Sequence, residues 1–171
     1  MALHFSKQEF EKRKLASLRS MKEQNLDALL MFRQESMFWL TGYDTFGYVF
    51  FQTLILDQKG NIILLTRAPD LRQAQNTSNI EDIRIWVDKD QSNPTDDLKI
   101  ILNELNLKGK KIGIEYEAYG MTGRNALRLN KSLENYCDVE DQSELITKHR
   151  VVKSIEEIIY VKKAAELADQ A

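Results

Sequence analysis

Residues that commonly carry catalytic or metal chemistry are sparse in this chain. Its 171 residues include two histidines, His4 and His149, and one cysteine, Cys137. Neither histidine belongs to an H-E-x-x-H helix or a Cys/His cluster, so the sequence shows no local metal signature. We expect His149, within LITKHRVV, at a helix end facing solvent, and Cys137 packed in the core. The sequence therefore predicts no catalytic residue and no metal ligand here.

Aromatic residues concentrate in one stretch, FWLTGYDTFGYVFF. A β-rich run over residues 47–57 overlaps it, and if the strand begins at its start, Phe46, Tyr48 and Phe50 share one strand face. Two interpretations stay open. The stretch is either a central strand with aromatics on both sides, or the loop 43–46 is exposed and contacts a ligand or partner.

Composition excludes several functional classes. The chain is 43% hydrophobic and 29% charged, as is usual for a soluble globular domain. Its formal net charge of −2 argues against a nucleic-acid or anionic-membrane surface. A single cysteine forms no intrachain disulfide, and no apolar run reaches the length of a signal-peptide core or of a membrane span. We expect a cytoplasmic protein with no nucleic-acid and no membrane partner.

Strand and helix patterns alternate along the chain. Ser6 and Glu9 form a capping-box pattern that opens a first helix. Four apolar residues at helical spacing predict its core face: Phe10, Leu15, Leu18 and Met21. The β-rich runs 47–57 and 62–66 predict a hairpin, and helices separate the later strands, which indicates parallel pairing. We predict an α/β fold with a mixed sheet of about six strands and helices on both faces.

The sequence SIEEIIYVKKAAELADQA, residues 154–171, is typical of the beginning of a helix. Ser154 and Glu157 form a second capping-box pattern. Apolar residues recur at helical spacing after it: Ile158, Val161, Ala165 and Ala168. No Gly, Asn or Pro stop signal follows. An amphipathic helix is therefore expected here, with an apolar face that needs covering.

The segment HRVVKSIEEIIYVKKAAELADQA resembles the domain junction of the creatinase / aminopeptidase P / prolidase family, the "pita-bread" metallopeptidases. In that family an Arg, a Lys-Ser, a Glu-Ile, a basic pair and an Ala-Ala mark the step into the catalytic domain. The corresponding residues are Arg150, Lys153-Ser154, Glu157-Ile158, Lys162-Lys163 and Ala164-Ala165. Upstream, MFWLTGYD (residues 37–44) and IGIEYEAYGMT (residues 112–122) resemble segments of the family's N-terminal domain.

The resemblance implies a creatinase N-terminal domain-like, ribonuclease H-like fold over residues 1–150. Residues 151–171 are then the linker and first helix of a C-terminal catalytic domain that this sequence lacks. The family's metal ligands, two Asp, one His and two Glu, lie in that domain, and none transfers to a residue here. Two divalent metals, manganese, cobalt or zinc, are thus expected in the missing domain, where they share a hydroxide that attacks amide-type bonds.

The resemblance also implies a homodimer in which this domain reaches the partner subunit's active site and limits a small peptide or amide substrate. The candidate substrate-proximal residues are Tyr43, Asp44, Phe46 and Tyr48. We expect a non-catalytic domain of a Xaa-Pro peptidase-like hydrolase, inactive by itself. The alternative is a peptide- or protein-binding module of a catalytically dead relative. The sequence encoded downstream of Ala171 would separate the two, because the metal ligands favour the enzyme if they are present there and the binding module if they are lost.

Overall fold

A mixed sheet lies at the centre of the molecule. The computed structural model describes residues 3–170; residues 1–2 and 171, at the ends of the predicted domain ranges, lie outside the described residues. The strands are β1 (Ala28–Met31), β2 (Thr53–Asp57), β3 (Ile62–Arg67), β4 (Asp82–Trp86), β5 (Lys111–Ile114) and β6 (Asp138–Asp141). The helices are α1 (Lys7–Glu23), α2 (Gln34–Thr41), α3 (Leu71–Thr77), α4 (Pro94–Glu104), α5 (Gly123–Leu133), α6 (Leu145–Val151) and α7 (Ile155–Asp169).

The strand order within the described residues is β4-β3-β2-β1-β5-β6. β1 pairs antiparallel with β2, and β2 pairs antiparallel with β3 across the predicted hairpin. The β1–β5, β3–β4 and β5–β6 pairs are parallel. A helix connects the two strands in the β3–β4 and β5–β6 pairs, whereas β2, β3 and β4 lie between β1 and β5 in the chain. The predicted mixed sheet of six strands is confirmed.

Two hydrophobic cores cover the two faces of the sheet. Successive residues of β1 alternate between them: Ala28 and Leu30 lie in one core, and Leu29 and Met31 in the other. Helices α4 and α5 pack over the first core. Helices α1, α2, α3 and α6 pack over the second. The prediction of helices on both faces is therefore confirmed, and every residue of β1 is buried.

The predicted core face of α1 is wrong in part. Phe10 and Met21 are buried, but the side chain of Leu15 is 51% exposed. The buried face of the helix instead includes Arg13 and Ser17. A polar side chain can be buried when it has hydrogen-bond partners, and Arg13 has one in the Trp39 carbonyl. A prediction based on the spacing of apolar residues misses such buried polar residues.

The strand predicted from residue 47 begins six residues later, at Thr53. Residues 47–49 form a single turn of 3-10 helix, so Phe46, Tyr48 and Phe50 do not share a strand face. Gly47 donates its N–H to Thr45 Oγ1 at 2.8 Å, and this local bond turns the chain before the sheet begins. A Cβ on Gly47 would meet the Asp70 carboxyl at 2.7 Å, so a larger residue at this position would require the Asp70 side chain to shift.

None of the helices within residues 3–170 has both the length and the apolar composition needed to span a membrane.

Gly120 lets the loop after β5 pack against the loop before β2. A Cβ at position 120 would lie within 3.0 Å of the Phe50 carbonyl oxygen, which is backbone and cannot swing away. We expect Gly120→Ala to destabilise the fold by about 1–3 kcal/mol, as overpacking does. Urea denaturation measures the change.

Gly123→Ala is the matched control. Gly123 opens α5, and among the described atoms nothing lies within 4 Å of a Cβ built on it. Its replacement by alanine is expected to be neutral or stabilising by up to about 1 kcal/mol. Equal urea midpoints for the two variants would refute the close approach at Gly120.

Candidate functional site

Tyr43 is buried, so the interpretation of residues 43–46 as an exposed loop does not hold for this residue. Its side chain is 0% exposed, and its hydroxyl donates to Gln52 Oε1 at 2.8 Å. Thr66 Oγ1 donates to the same oxygen at 3.0 Å. Burial raises the pKa of the Tyr43 phenol, which therefore stays protonated. Gly42, in the left-handed conformation that ends α2 (φ 80°), turns the chain back over the core, and Tyr43 anchors the loop from inside.

The other three predicted residues are exposed on this loop: Asp44, Phe46 and Tyr48. Phe46 is the most prominent, with 86% of its side chain accessible. Two residues of α3 hold the loop backbone. Asp44 N donates to Thr77 Oγ1 at 3.2 Å, and Phe46 N donates to Gln73 Oε1 at 3.3 Å. The three side chains therefore project from a tethered backbone, and their contact with a substrate stays a prediction.

Two adjoining clefts lie at the beginning of α2 and share Gln34, Glu35 and Arg150. Tyr48 lines the first, which has a volume of about 450 Å³. Asp44 lines the second, which has a volume of about 520 Å³. One side chain of the loop therefore lines each cleft. The two clefts form one continuous candidate surface beside the carboxyl end of β1.

Charges of both signs line these clefts. The acidic residues are Glu35, Asp44, Glu117 and Glu157. The basic residues are Arg13, Arg33, Arg150 and Lys153. A polyanion would need an excess of positive charge. Four charged residues of each sign line the two clefts, so neither cleft surface has such an excess.

Tyr119 is a further aromatic residue at the first cleft, and sequence reasoning missed it. It is 77% exposed and meets Tyr48 edge to face, with ring centroids 5.7 Å apart and planes at 74°. Tyr119 follows β5, whereas Tyr48 precedes β2. Their proximity depends on the parallel β1–β5 pairing, which nothing local in the sequence reveals.

Glu115, at the end of β5, is the buried carboxylate beneath this surface. It is fully buried and accepts backbone N–H bonds from Phe32 and Arg33, both at 3.0 Å. Its other oxygen accepts from Ser36 Oγ at 2.6 Å. Within the described residues, the N-cap residue Arg33 makes no side-chain capping bond of its own, so Glu115 satisfies donors at the beginning of α2 from another strand.

Burial raises the pKa of Glu115 to about 7, although the bonds from Ser36, Arg33 and Phe32 and the charge of Arg33 all lower it. Desolvation disfavours the ionised form, and here it outweighs the hydrogen bonds that favour it. The charged and protonated forms of Glu115 are thus both accessible near neutral pH. Strongly shifted carboxyls are frequent at functional sites and also occur in structural networks.

Arg33 joins the beginning of α2 to the loop after β5 and to α6. Its guanidinium donates to the Glu117 carbonyl oxygen and to Thr147 Oγ1, both at 2.6 Å. It also pairs with the Glu117 carboxylate and lies 3.9 Å from Glu144. One wall of the first cleft is therefore held by a side chain whose charge is already compensated.

The remaining chemical candidates lie apart from one another. His149 occupies the last turn of α6 but is half-buried rather than solvent-facing: it stacks on Trp39 at 5.9 Å, and Nε2 lies 3.0 Å from Ser20 Oγ. Burial, with the charge of Arg19, lowers its pKa. Cys137 packs against the first core from a half-buried position, and burial raises its pKa to about 11. In residues 3–170 no three His, Cys, Asp or Glu side chains form a group that could hold a metal ion.

The chain matches the Creatinase/Prolidase N-terminal domain family over residues 13–152. It belongs to this family. The matched residues include the whole sheet, the first cleft and Glu115. The resemblance suggested by the junction and the upstream segments is therefore confirmed.

Three relatives illustrate the similarity. The chain is 28% identical to the uncharacterized hydrolase/peptidase y4tM of Sinorhizobium fredii, over 98% of this chain and 44% of that protein. It is 24% identical to the ectoine hydrolase of Halomonas elongata, over 98% of this chain and 43% of that protein. The crystal structure of a prolidase from Thermococcus sibiricus superposes with a TM-score of 0.77 at 20% identity, covering 94% of this chain and 42% of that chain. This chain spans less than half the length of each.

Glu115 predicts a pH dependence of stability. An acid whose folded pKa lies above its unfolded value stabilises the fold fully below the unfolded pKa, here about 4.5, and that contribution is lost as pH rises through the folded pKa of about 7. We expect the free energy of unfolding to fall by on the order of 2–3 kcal/mol from this group between those pH values. Urea denaturation at several pH values measures it.

Glu115→Gln removes the titration and keeps an oxygen acceptor for Phe32 and Arg33. Its unfolding free energy is expected to vary less with pH than that of the wild type over this range, since other groups titrate equally in both proteins. Parallel pH profiles for the two proteins would contradict the raised pKa of Glu115.

Proposed function

We propose that this chain is the non-catalytic N-terminal domain of a Xaa-Pro peptidase-like dinuclear metallohydrolase and that it restricts the substrate. The observation that carries the proposal is the family match over residues 13–152, in a chain that spans less than half of two curated relatives with hydrolase names. Residues 1–150 are then the domain, and residues 151–171 lead into the catalytic domain. The single cysteine suits a cytoplasmic protein.

The exposed surface of α7 supports a covering domain. No residue between Ile155 and Asp169 is buried, and the side chains of Ile155, Ile159 and Leu167 are 85%, 60% and 65% exposed. Such a row of large apolar residues is unusual on a helix that faces only water. In the proposal, the second domain of the same chain packs on this helix.

The metal centre is assigned to that second domain. The side chains of the described residues do not form a metal-ligand set. Two divalent ions, manganese, cobalt or zinc, would supply an activated hydroxide there. What this chain contributes in the proposal is the shape and charge of a surface near the substrate.

The loop after α2 suits a restricting role because its backbone is held while its side chains are free. Phe46 would occupy space in the active site of the partner subunit in a homodimer and exclude longer peptides. The Asp44 carboxylate would accept a charge-assisted hydrogen bond from the substrate amine. Tyr48, against Tyr119, would contact the apolar part of a small peptide or amide.

Asp44→Asn is expected to weaken substrate binding in the full-length protein. A hydrogen bond to a charged group contributes about 1.5–3 kcal/mol, so we expect KM for a Xaa-Pro dipeptide to rise by about tenfold or more while metal content stays unchanged. Steady-state kinetics with a metal assay test this. Asp90→Asn, at another exposed aspartate, is the control. An unchanged KM in Asp44→Asn would count against the contact.

Phe46→Ala is expected to relax the length limit, since it removes the exposed ring without disturbing the core. The ratio of kcat/KM for a tripeptide to that for a dipeptide should rise by about tenfold, as when a pocket gains volume. Melting temperature, measured in parallel, is expected to stay within about 2 °C of the wild type because the side chain is exposed. An unchanged ratio would exclude Phe46 from substrate restriction.

The isolated 171-residue chain is expected to hydrolyse no Xaa-Pro dipeptide, with or without added manganese, because its described residues provide no ligand cluster. The assay is dipeptide turnover together with metal binding by calorimetry. Turnover accompanied by stoichiometric metal binding would overturn the non-catalytic assignment.

A further inference from the structure

The beginnings of α1 and α7 are interlocked although about 150 residues separate them. Glu156 accepts both the backbone N–H of Ser6 at 2.9 Å and its hydroxyl at 2.6 Å, and Ser6 is the N-cap of α1. One turn further along α7, the Tyr160 hydroxyl donates to the His4 carbonyl oxygen at 2.7 Å. The Tyr160 ring also meets Phe5 edge to face at 5.4 Å.

Arg13 lies under this contact and is nearly inaccessible, with 2% of its side chain exposed. Its guanidinium has three neighbours on three helices. Nε donates to Glu9 Oε1 on α1 at 3.1 Å, Nη1 donates to the Trp39 carbonyl on α2 at 2.7 Å, and Nη2 lies 3.2 Å from Glu157 Oε1 on α7. The Phe5 ring stacks on the guanidinium at 4.1 Å.

The contact between Arg13 and Glu157 is ionic rather than a well-formed hydrogen bond. Among the described atoms, Nη2 has no hydrogen-bond partner of suitable geometry. The negative charge of Glu157 on α7 therefore compensates this side of the guanidinium. A buried guanidinium that loses a compensating charge is costly. The pairing therefore favours one placement of α7.

One carboxylate also performs the local capping of α7. Glu157 Oε2 accepts the backbone N–H of Ser154 at 2.7 Å, while Ser154 Oγ accepts the N–H of Glu157 at 3.2 Å. The other oxygen, Oε1, faces Arg13. The side chain that starts the helix thus also attaches it to the domain.

We propose that Arg13 is a positioning residue, which through Glu157 fixes the direction in which α7 leaves the domain and ties that direction to α2. The first two turns of α7, which carry Glu156, Glu157 and Tyr160, then belong to the rigid body, and the turns after Val161 do not. This inference concerns the domain by itself and stands whether or not the loop after α2 restricts a substrate.

Amide hydrogen exchange in the 171-residue chain tests the attachment. Glu157→Gln keeps an acceptor for the Ser154 N–H but removes the charge that faces Arg13. We expect exchange over residues 158–161 to rise by about 10- to 100-fold, the loss expected for an interaction with a charged group, with exchange in the sheet unchanged. Glu166→Gln, at an exposed position of the same helix, is the control and is expected to change nothing.

Fast exchange beyond Val161 is expected in the wild type and in both variants. If Glu157→Gln exchanges like the wild type over residues 158–161, or if these amides already exchange as fast as those beyond them in the wild type, the attachment is refuted. Arg13→Met gives a second test. In that background Glu157→Gln is expected to add no further increase, because its partner is gone.

A distance measurement separates positioning from general stability. Spin labels at Lys131→Cys and Ile159→Cys, in a Cys137→Ser background, report the separation of α5 from the second turn of α7. We expect one narrow distance distribution in the otherwise wild-type protein and a broad one with Glu157→Gln. Ser154→Ala, which removes a capping bond but keeps the ionic contact, is expected to stay narrow. Equal widths in all three proteins would overturn the proposal.

Discussion

The beginning of α2 depends on one buried carboxylate. Glu115 reaches across from β5 and accepts bonds from Phe32, Arg33 and Ser36, which the sheet has removed from water. Backbone donors at a helix start must find acceptors when they are buried. Without Glu115, the segment that lines both clefts would lose the acceptor that fixes its position. This contact also fixes the position of the aromatic loop after α2, because α2 is a rigid element only two turns long.

A second buried charge, Arg13, contacts the last turn of α2. Its bond to the Trp39 carbonyl and the bonds of Glu115 hold the same helix from its two ends. Buried ionic groups of this kind add little net stability, because desolvation offsets their attraction. They favour one arrangement over other packings that would leave a charge unpaired. In this molecule they determine placement, whereas the apolar residues on the two faces of the sheet provide most of the driving force.

Local signals predicted the local structure well. The capping residues Ser6 and Ser154 begin their helices where the sequence indicated, and the alternation of strands and helices correctly predicted the mixed sheet. The predictions failed where contacts with residues elsewhere in the chain determine the structure. Tyr43 is buried because Gln52 accepts the hydrogen bond of its hydroxyl, and residues 47–52 precede the strand because the chain turns where Thr45 accepts the N–H of Gly47. The sequence did not indicate the role of Glu115, since a buried acidic residue at the end of a strand cannot be distinguished from an exposed one by its sequence context.

The pairing of β1 with two different neighbours has a consequence for the order of assembly during folding. β1 meets β2 after the segment between Met31 and Thr53, which contains α2, but it meets β5 across more than 80 residues, as the separation of Phe32 and Glu115 by 83 positions illustrates. Contacts between residues so far apart close slowly, because the chain entropy is lost before the contact forms. We expect the β1–β2–β3 meander to form early and β5 to join late. The surface around α2 would then be among the last parts of the molecule to become ordered.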